Sequence, residues 1–331
     1  MKPHSPVVFD GPFALLCPQF IQHKQSLGYV YGLRAEYAVK NLDDFFKAFA
    51  VSSPRLTRTM VEAYIAKRRN EAGQTQQHRI SLVREFARFL QTLGYEASVL
   101  PRPPYTGTKT FAPYIFTRDE IATLMQAADQ LPYQSQYPQS HLVYPMLLRI
   151  LYGCGLRISE ALALTMATVD LDHGMLRVIH GKFHHSRFVP MSPSLTQWCV
   201  TYRNRMQFSP DYTGYFFPAP DGTGAYAPVS VYGRFRRLLE QGNIPHGGRG
   251  HGPRLHDLRH TFAVHTLEQM VEQGWDLYTA LPMLSTYLGH RTLAATERYV
   301  RLTAAAHASI TQALAPLYRN LYPEVPDHVE E

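Results

Sequence analysis

The sequence predicts a mainly α-helical protein in two domains, with one small β-hairpin in the second. Three observations carry this. In the first third, apolar residues recur at helical spacing between punctuating glycines. A stretch rich in proline and glycine at 95–113 resists regular structure. Beyond it a longer helical region is interrupted by one pair of short alternating runs, 176–179 and 187–189. At 331 residues the chain is long for a single core and comfortable for two.

Taken in order, Phe13 to Ser26, Leu33 to Phe49, Thr57 to Asn70 and Thr75 to Leu93 read as amphipathic helices, with Gly28, Gly32, Gly73 and Gly94 between them. In the last helix Ile80, Val83, Phe86, Ala87 and Leu90 form a stripe that belongs in a core. Arg79, Arg84 and Arg88 project elsewhere, and with Lys67, Arg68 and Arg69 form a candidate DNA-facing surface; the alternative is an ordinary solvated face. Pro101, Pro103, Pro104, Gly107 and Pro113 make 95–113 a semi-rigid linker. Residues 1–110 then form one domain and 111–331 the other.

The second domain opens at Thr117, whose spacing from Glu120 is that of a capping box for a helix to about Leu131. Residues 132–141 read as a loop, followed by an apolar helix through Leu147 to Tyr152. The turn at Gly153 and Gly155 delivers Arg157 to the start of the next helix. The two strands place Lys182 near a hairpin turn. Ser192 and Pro193 start a helix, and Val229 to Glu240, Leu255 to Gln273, Leu277 to Leu288, Leu293 to Tyr299 and Leu302 to Leu317 are further helices.

Hydrophobic residues at 45% and charged residues at 18% describe a globular chain rather than a disordered one. Cys17, Cys154 and Cys199 are an odd number without metal-ligand spacing, so neither a disulfide framework nor a zinc knuckle is expected, and a reducing cytoplasm fits. Asp10, Gly11 and Pro12 interrupt the early apolar residues before a signal-peptide core forms, and the apolar run at Leu142 to Leu156 is too short to span a bilayer. The net charge is +7, and all of it lies before residue 113: fifteen Lys and Arg face eight Asp and Glu there, while the remainder carries eighteen of each. A basic smaller domain joined to a neutral larger one points to a domain that grips phosphates. Four acids fall in the last eight residues and form an acidic tail.

The chemistry lies in an ordered set: Arg157, Lys182, His256 with Arg259, His290, and Tyr299. Cleavage of a phosphodiester loads negative charge on the nonbridging and departing oxygens, so fixed cations are what it needs. Arginine's fork holds two phosphate oxygens and keeps its charge, which suits Arg157 and Arg259. A surface ion pair between Arg157 and Glu160 is the competing reading. Lys182 is the only lysine beyond Lys109, and lysine can release a proton where arginine cannot, as a general acid must. The imidazoles of His256 and His290 can hydrogen-bond a phosphate or handle the nucleophile's proton, and the residues alone do not divide those roles. Tyr299, nine residues after His290, would be the nucleophile, forming a covalent phosphotyrosyl link. Structural hydrogen bonding is expected of His251, His260 and His265, and packing of Tyr278 and Tyr287. His256 and His260 flank Asp257 in a spacing superficially like a zinc-hydrolase helix, but the acid is short, Arg259 would sit beside the metal, and no third ligand follows.

The contexts GCGLRISEAL, GKFHHSRFVP, LHDLRHTFA and LGHRTLAATERYV resemble the catalytic boxes of the tyrosine recombinases, or phage integrases, from about Phe111 to Ala313. The resemblance implies a helical core-binding domain of SAM-like type and a catalytic domain of the DNA breaking–rejoining fold, clamping a duplex between them. It assigns proton transfer to His256 and phosphate binding to His290. It further implies a site-specific recombinase working on double-stranded DNA through a 3′-phosphotyrosyl intermediate and a Holliday junction. Four protomers would form the synapse, the free protein being monomer or dimer, with partner recombinases or accessory proteins possible. No metal or other cofactor and no membrane is expected. The absence of a recognisable arm-binding motif before residue 13 leans toward the simple two-domain type carried by transposons and other mobile elements. A type IB topoisomerase and a non-catalytic architectural DNA-binding protein are the alternatives, and a C-terminal helix that docks on a neighbouring protomer is a further expectation.

Overall fold

The computed structural model describes residues 6–49, 53–101, 112–179, 186–222, 224–248, 252–290, 292–293, 295–297, 299–300 and 302. Lys182 and its hairpin turn, His251, the middle of the linker and the helix expected at Leu302 to Leu317 lie outside them, apart from Leu302 itself. The chain divides into two compact units, residues 2–111 and 112–331.

The first unit holds α1 (Leu16–Ser26), α2 (Leu33–Phe46), α3 (Arg58–Ile65) and α4 (Gly73–Thr92). Its core is aromatic: Phe13 meets Phe46 and Phe86 edge-on at 5.7 and 5.3 Å, and Phe20 meets Phe86 at 5.3 Å. Buried Asp43 accepts the N–H groups of Gly11 and Phe13 at 2.9 and 2.8 Å, which pins the chain ahead of α1 and starts that helix later than its apolar pattern suggests. The expected stripe of α4 is buried, with Phe89 added to it.

α3 ends five residues before the predicted Asn70, for a tertiary reason. Glu71 and Arg79 form an ion pair at 2.7 Å with side chains only 7% and 11% exposed, Glu71 also accepts the Arg68 N–H, and Arg79 donates to the Ala66 carbonyl. Those bonds draw 66–72 into a turn, with Asn70 at φ +61°. The candidate basic surface divides accordingly. Lys67, Arg68, Arg69 and Arg88 are exposed and Arg84 is half-buried, whereas Arg79 is committed to Glu71 and faces the Tyr64 ring at 5.1 Å.

The second unit contains α5 (Arg118–Asp129), α6 (Ser140–Gly153), α7 (Ile158–Leu162), β1 (Val169–Asp170), β2 (Met175–Val178), β3 (Arg187–Pro190), α8 (Pro193–Met206), α9 (Pro228–Gln241), α10 (Asp257–Glu272) and α11 (Leu277–Leu288). The capping box at Thr117 is present, the hydroxyl accepting from Glu120 N at 3.1 Å while Glu120 accepts from Thr117 N at 2.8 Å. Ser192 caps α8 and Asp276 caps α11. α6 is buried along most of its length and packs on α5, α8 and α10. The hairpin is antiparallel with Leu176 opposite Val189, and β1 adds a third strand in the order β1-β2-β3. At two residues β1 is too short to show alternation, which is why the sequence predicts only a pair. Residues 295–297 and 299–300 are helical. Among the described residues no helix is long and apolar enough to cross a membrane.

Candidate active site

Four segments distant in sequence converge around one carboxylate. Gly155 turns the chain between α6 and α7 at φ +59°, where a Cβ would lie 2.3 Å from Phe262 Cδ1. Only glycine accepts both the left-handed backbone and that approach. The turn leaves Arg157 at the N-cap of α7, its N–H donating to Glu160 Oε2 at 2.9 Å and its Nη1 to Glu160 Oε1 at 2.7 Å. The ion pair that competed with a phosphate-clamp role is therefore present, but it is not a surface one: Glu160 is buried.

Arg259, in the first turn of α10, is 2% exposed. Its Nη1 donates to the Gly155 carbonyl at 2.7 Å and lies 3.7 Å from Glu160 Oε2, and its Nη2 donates to the Leu288 carbonyl at 2.8 Å. Arg187, at the start of β3, completes the arrangement. Nη1 and Nη2 each reach a Glu160 oxygen at 3.1 Å, and Nε donates to the Tyr287 carbonyl at 2.9 Å. Gly289 caps α11 at φ +68°, where a Cβ would crowd Arg187 at 3.0 Å. Burial by itself would raise the Glu160 carboxyl, but the hydrogen bonds from Arg187 and the Arg157 N–H, with both guanidinium charges, hold it down to about 2. Three guanidiniums around one carboxylate leave a net positive, partly desolvated site.

Tyr299 is buried at 3% exposure, packed with Ala263, Val264, Leu267 and α11 residues. Its hydroxyl and His260 Nδ1 are 3.1 Å apart. The His290 ring lies parallel to the Tyr299 ring within 21° at 6.0 Å, and His290 Nδ1 and the buried Thr296 hydroxyl are 2.8 Å apart. His256 is the N-cap of α10 but caps nothing with its side chain; it remains exposed, its ring edge-on to His260 at 4.8 Å. Asp257, fully buried, accepts the Arg254 N–H at 2.8 Å and holds this end of α10 in place. Arg157, His256, Arg259, His290 and Tyr299 are thus brought into one cluster. Lys182 lies outside the described residues.

Sequence reasoning missed three members. Glu160 figured only as a competing partner, Arg187 was part of a strand pattern, and His260 was set down as a structural hydrogen-bonder. The local signal for His260 was present, since its i+4 spacing from His256 puts both on one face of α10. His265 does bond structurally, to the Tyr152 hydroxyl at 2.9 Å. Tyr287 packs on Phe262 as expected, but Tyr278 is 74% exposed, because it lies on the outer face of the first turn of α11. Among the described residues no three His, Cys, Asp or Glu side chains are grouped to hold a metal ion.

All three site imidazoles are held in the neutral form. His256 is exposed by surface area, yet the protein crowded around its ring strips away enough water that desolvation comes first, and the charges of Arg259 and Arg254 next, in pushing it down to about 4. Burial and neighbouring His256 do the same to His260, and burial and Arg259 to His290, each to about 4. A free histidine titrates near ~6.5, so between these values the unfolded chain binds more protons than the folded one. Stability is therefore complete above about pH 6.5 and falls as the pH drops toward 4. The melting temperature should decline between pH 7 and 5, and the slope should flatten in a His260→Gln, His290→Asn double variant. A wild-type melting temperature constant over that range would refute neutral, protected imidazoles.

The sequence model of the phage integrase family matches residues 115–306, more than half of the chain. An integrase/recombinase of Sinorhizobium fredii, y4rB, is 30% identical over 300 residues, covering 85% of this chain and 90% of that protein. Tyrosine recombinase XerD of Caulobacter vibrioides is 30% identical over 268 residues, covering 78% and 81%. Among solved structures, the Tn1549 transposon integrase in complex with transposon right end DNA superposes with a TM-score of 0.61 over 92% of this chain and 99% of that one, at 17% identity. A lambda integrase dimer bound to a core site superposes at 0.59 over 84% and 95%, at 14% identity, which speaks to the fold. With the ordered boxes, the clustered arginines and the buried tyrosine already placed, these matches settle the affiliation: the chain belongs to the phage integrase family, the tyrosine recombinases.

Proposed function

We propose that this protein cleaves and rejoins double-stranded DNA at specific sites, with Tyr299 as nucleophile, in the movement of a mobile element. The observation that carries the reading is the setting of the Tyr299 hydroxyl, 3.1 Å from an imidazole kept neutral and packed beside a guanidinium cluster in net positive excess. Arg157 and Arg259 hold the nonbridging oxygens of the scissile phosphate, and His290 and His256 donate hydrogen bonds to it. The Tyr299 oxygen attacks phosphorus, giving a 3′-phosphotyrosyl link, and the departing 5′ oxygen takes a proton from Lys182, a role that rests on the resemblance alone. Storing the bond energy in the covalent link allows rejoining without a nucleotide cofactor.

Residues 111–331 act as the catalytic domain and 1–110 as the core-binding domain, joined by the linker at 95–113. Lys67, Arg68, Arg69 and Arg88 are the cations of the smaller domain available to phosphates; Arg84 contributes less and Arg79 is spent on Glu71. Two protomers bind each site and four form the synapse, exchanging strands through a Holliday junction. The named relatives are integrases and recombinases, which favours strand exchange over the topoisomerase reading.

The test is a denaturing gel of wild type and Tyr299→Phe incubated with nicked suicide duplexes made from DNA flanking the gene. Wild type should form a covalent protein–DNA adduct and Tyr299→Phe none, with duplex binding retained in both. An adduct in the phenylalanine variant would remove Tyr299 as nucleophile. Tight binding without an adduct in wild type would favour the architectural reading.

A further inference from the structure

We infer that Arg187 is a positioning residue for the phosphate clamp: it grips both oxygens of Glu160 and ties that carboxylate to the end of α11, so that Arg157 and Arg259 are held toward one phosphate. This rests on the cleavage reading above. Arg187 lies in the stretch GKFHHSRFVP, five residues after Lys182, yet none of the roles implied by the resemblance falls on it. Its bonds supply one. Nη1 and Nη2 reach Glu160 Oε1 and Oε2 at 3.1 Å each, and Nε donates to the Tyr287 carbonyl at 2.9 Å. A planar fork can hold a carboxylate with two donors and a carbonyl with the third, which a lysine cannot do. Each nitrogen of Arg187 thus has a protein partner, and the side chain is 13% exposed. Arg157 commits Nη1 to Glu160 and, at 22%, is the most exposed of the three guanidiniums, Arg259 being at 2%. Arg187 holds the carboxylate, and the carboxylate holds Arg157.

The electrostatics agree with the geometry. Burial alone would raise the Glu160 carboxyl, and the hydrogen bonds from Arg187 are the largest influence opposing it, ahead of the Arg157 N–H. Without Arg187, the anion shared by the clamp arginines would lose its main support. The same side chain reaches the last turn of α11, whose next carbonyl, that of Leu288, accepts from Arg259. Two arginines therefore brace this turn from different elements: Arg259 between the carbonyls of Gly155 and Leu288, and Arg187 between Glu160 and the carbonyl of Tyr287. Gly289 leaves room for the second brace, since a Cβ there would meet Arg187 Cδ and Nη1 at 3.0 Å. His290 follows directly. Loss of Arg187 would disturb Arg157 and the turn before His290 together, and a misplacement of about 1 Å can cost about 10²-fold in rate.

Single-turnover adduct formation at saturating nicked duplex tests the role. Arg187→Gln and Arg187→Lys are compared with wild type, Glu160→Gln, the Arg187→Gln, Glu160→Gln double variant and Tyr299→Phe, while duplex affinity and melting temperature are followed in parallel. Arg187→Gln should form the adduct about 10- to 10²-fold more slowly, with duplex affinity nearly unchanged. Because Arg187 acts through Glu160, the double variant should be no slower than Glu160→Gln alone. Deficits that multiply would overturn the proposal. A duplex with a methylphosphonate at the scissile position carries no negative charge there, so the clamp has less to balance, and the Arg187→Gln deficit should shrink several-fold. A deficit of the same size on both duplexes would mean a general structural defect and would also overturn it.

A duplex with sulfur in place of the 5′ leaving oxygen needs no acid. It should leave the Arg187→Gln deficit in place, and rescue would move Arg187 to the leaving-group side. Arg187→Lys keeps the charge and covers the case in which the glutamine variant fails to fold. It should melt closer to wild type yet still cleave slowly, because a point charge cannot hold both Glu160 oxygens and the Tyr287 carbonyl. Full rate in Arg187→Lys would show that the fork is not needed and overturn the assignment. An adduct formed by Tyr299→Phe would instead sink the nucleophile reading, whatever the Arg187 variants do.

Discussion

Replacing Arg259 with methionine is expected to abolish detectable strand cleavage and to lower the stability of the 112–331 unit. The two effects have different causes and can be separated. In the proposed reaction the guanidinium is a fixed donor to developing phosphate charge, and removing such a group costs on the order of 10³-fold or more in rate. It is also a strut. Its Nη1 and Nη2 satisfy the carbonyls of Gly155 and Leu288, 104 and 29 residues away in sequence. Methionine fills similar volume but leaves both buried acceptors unpaired, at about 1–3 kcal/mol each. Burial has already pushed the guanidinium down to about 10, so it is charged at neutral pH but weakly solvated. Arg259→Lys keeps the charge and one donor direction, and should recover part of the stability and little of the rate, because a point charge cannot bridge two carbonyls. Suicide-substrate cleavage and thermal melting of both variants check this. Wild-type cleavage by Arg259→Met would remove the residue from the catalytic cluster.

The second large effect is expected at Glu160. Glutamine is isosteric but neutral, and it would leave Arg157, Arg187 and Arg259 facing one another across a buried space without their shared counter-charge. Breaking a buried ion pair from one side costs about 3–5 kcal/mol. Cleavage should fall as well, since Arg157 takes its direction from two hydrogen bonds to this carboxylate and Arg187 ties it to the last turn of α11, next to His290. The pH dependence has a definite sign. The folded carboxyl is depressed to about 2 from its ordinary value of 4.5. Its contribution is therefore complete above about pH 4.5 and lost as the pH falls from there toward 2. Acid unfolding followed by circular dichroism should show wild type losing stability through that window and Glu160→Gln starting lower with a shallower slope. Equal midpoints for the two proteins at neutral pH would mean that the arginines do not depend on Glu160. This acid window lies below the one set by the histidines, so the two can be read from one titration.

Much of the protein was legible in its chain because the relevant physics is local. Helices announce themselves by apolar residues on one face, and caps such as Thr117 with Glu120 and Ser192 with Pro193 are satisfied within one turn, so neighbouring residues decide them. The charge imbalance is a matter of composition. Arg157, His256, Arg259, His290 and Tyr299 were singled out by motif, because a phosphodiester constrains the residue types proposed to serve it, and the fold brings them near one another. Tertiary structure decided what those residues touch. Glu160 binds Arg187 across 27 residues, and no periodicity signals a pairing between a helix and a strand edge. α3 stops early because Glu71 and Arg79 bury a charge pair that neither helix pattern contains, and the same pair removes Arg79 from the basic surface. His260 was set aside because a histidine beside an arginine has no special meaning along a helix. It gains one only when Tyr299, 39 residues later, returns its hydroxyl to 3.1 Å from the imidazole. Local rules choose the elements and the chemical types; the low dielectric of the packed interior, where an unpaired charge or hydroxyl is costly, chooses their partners.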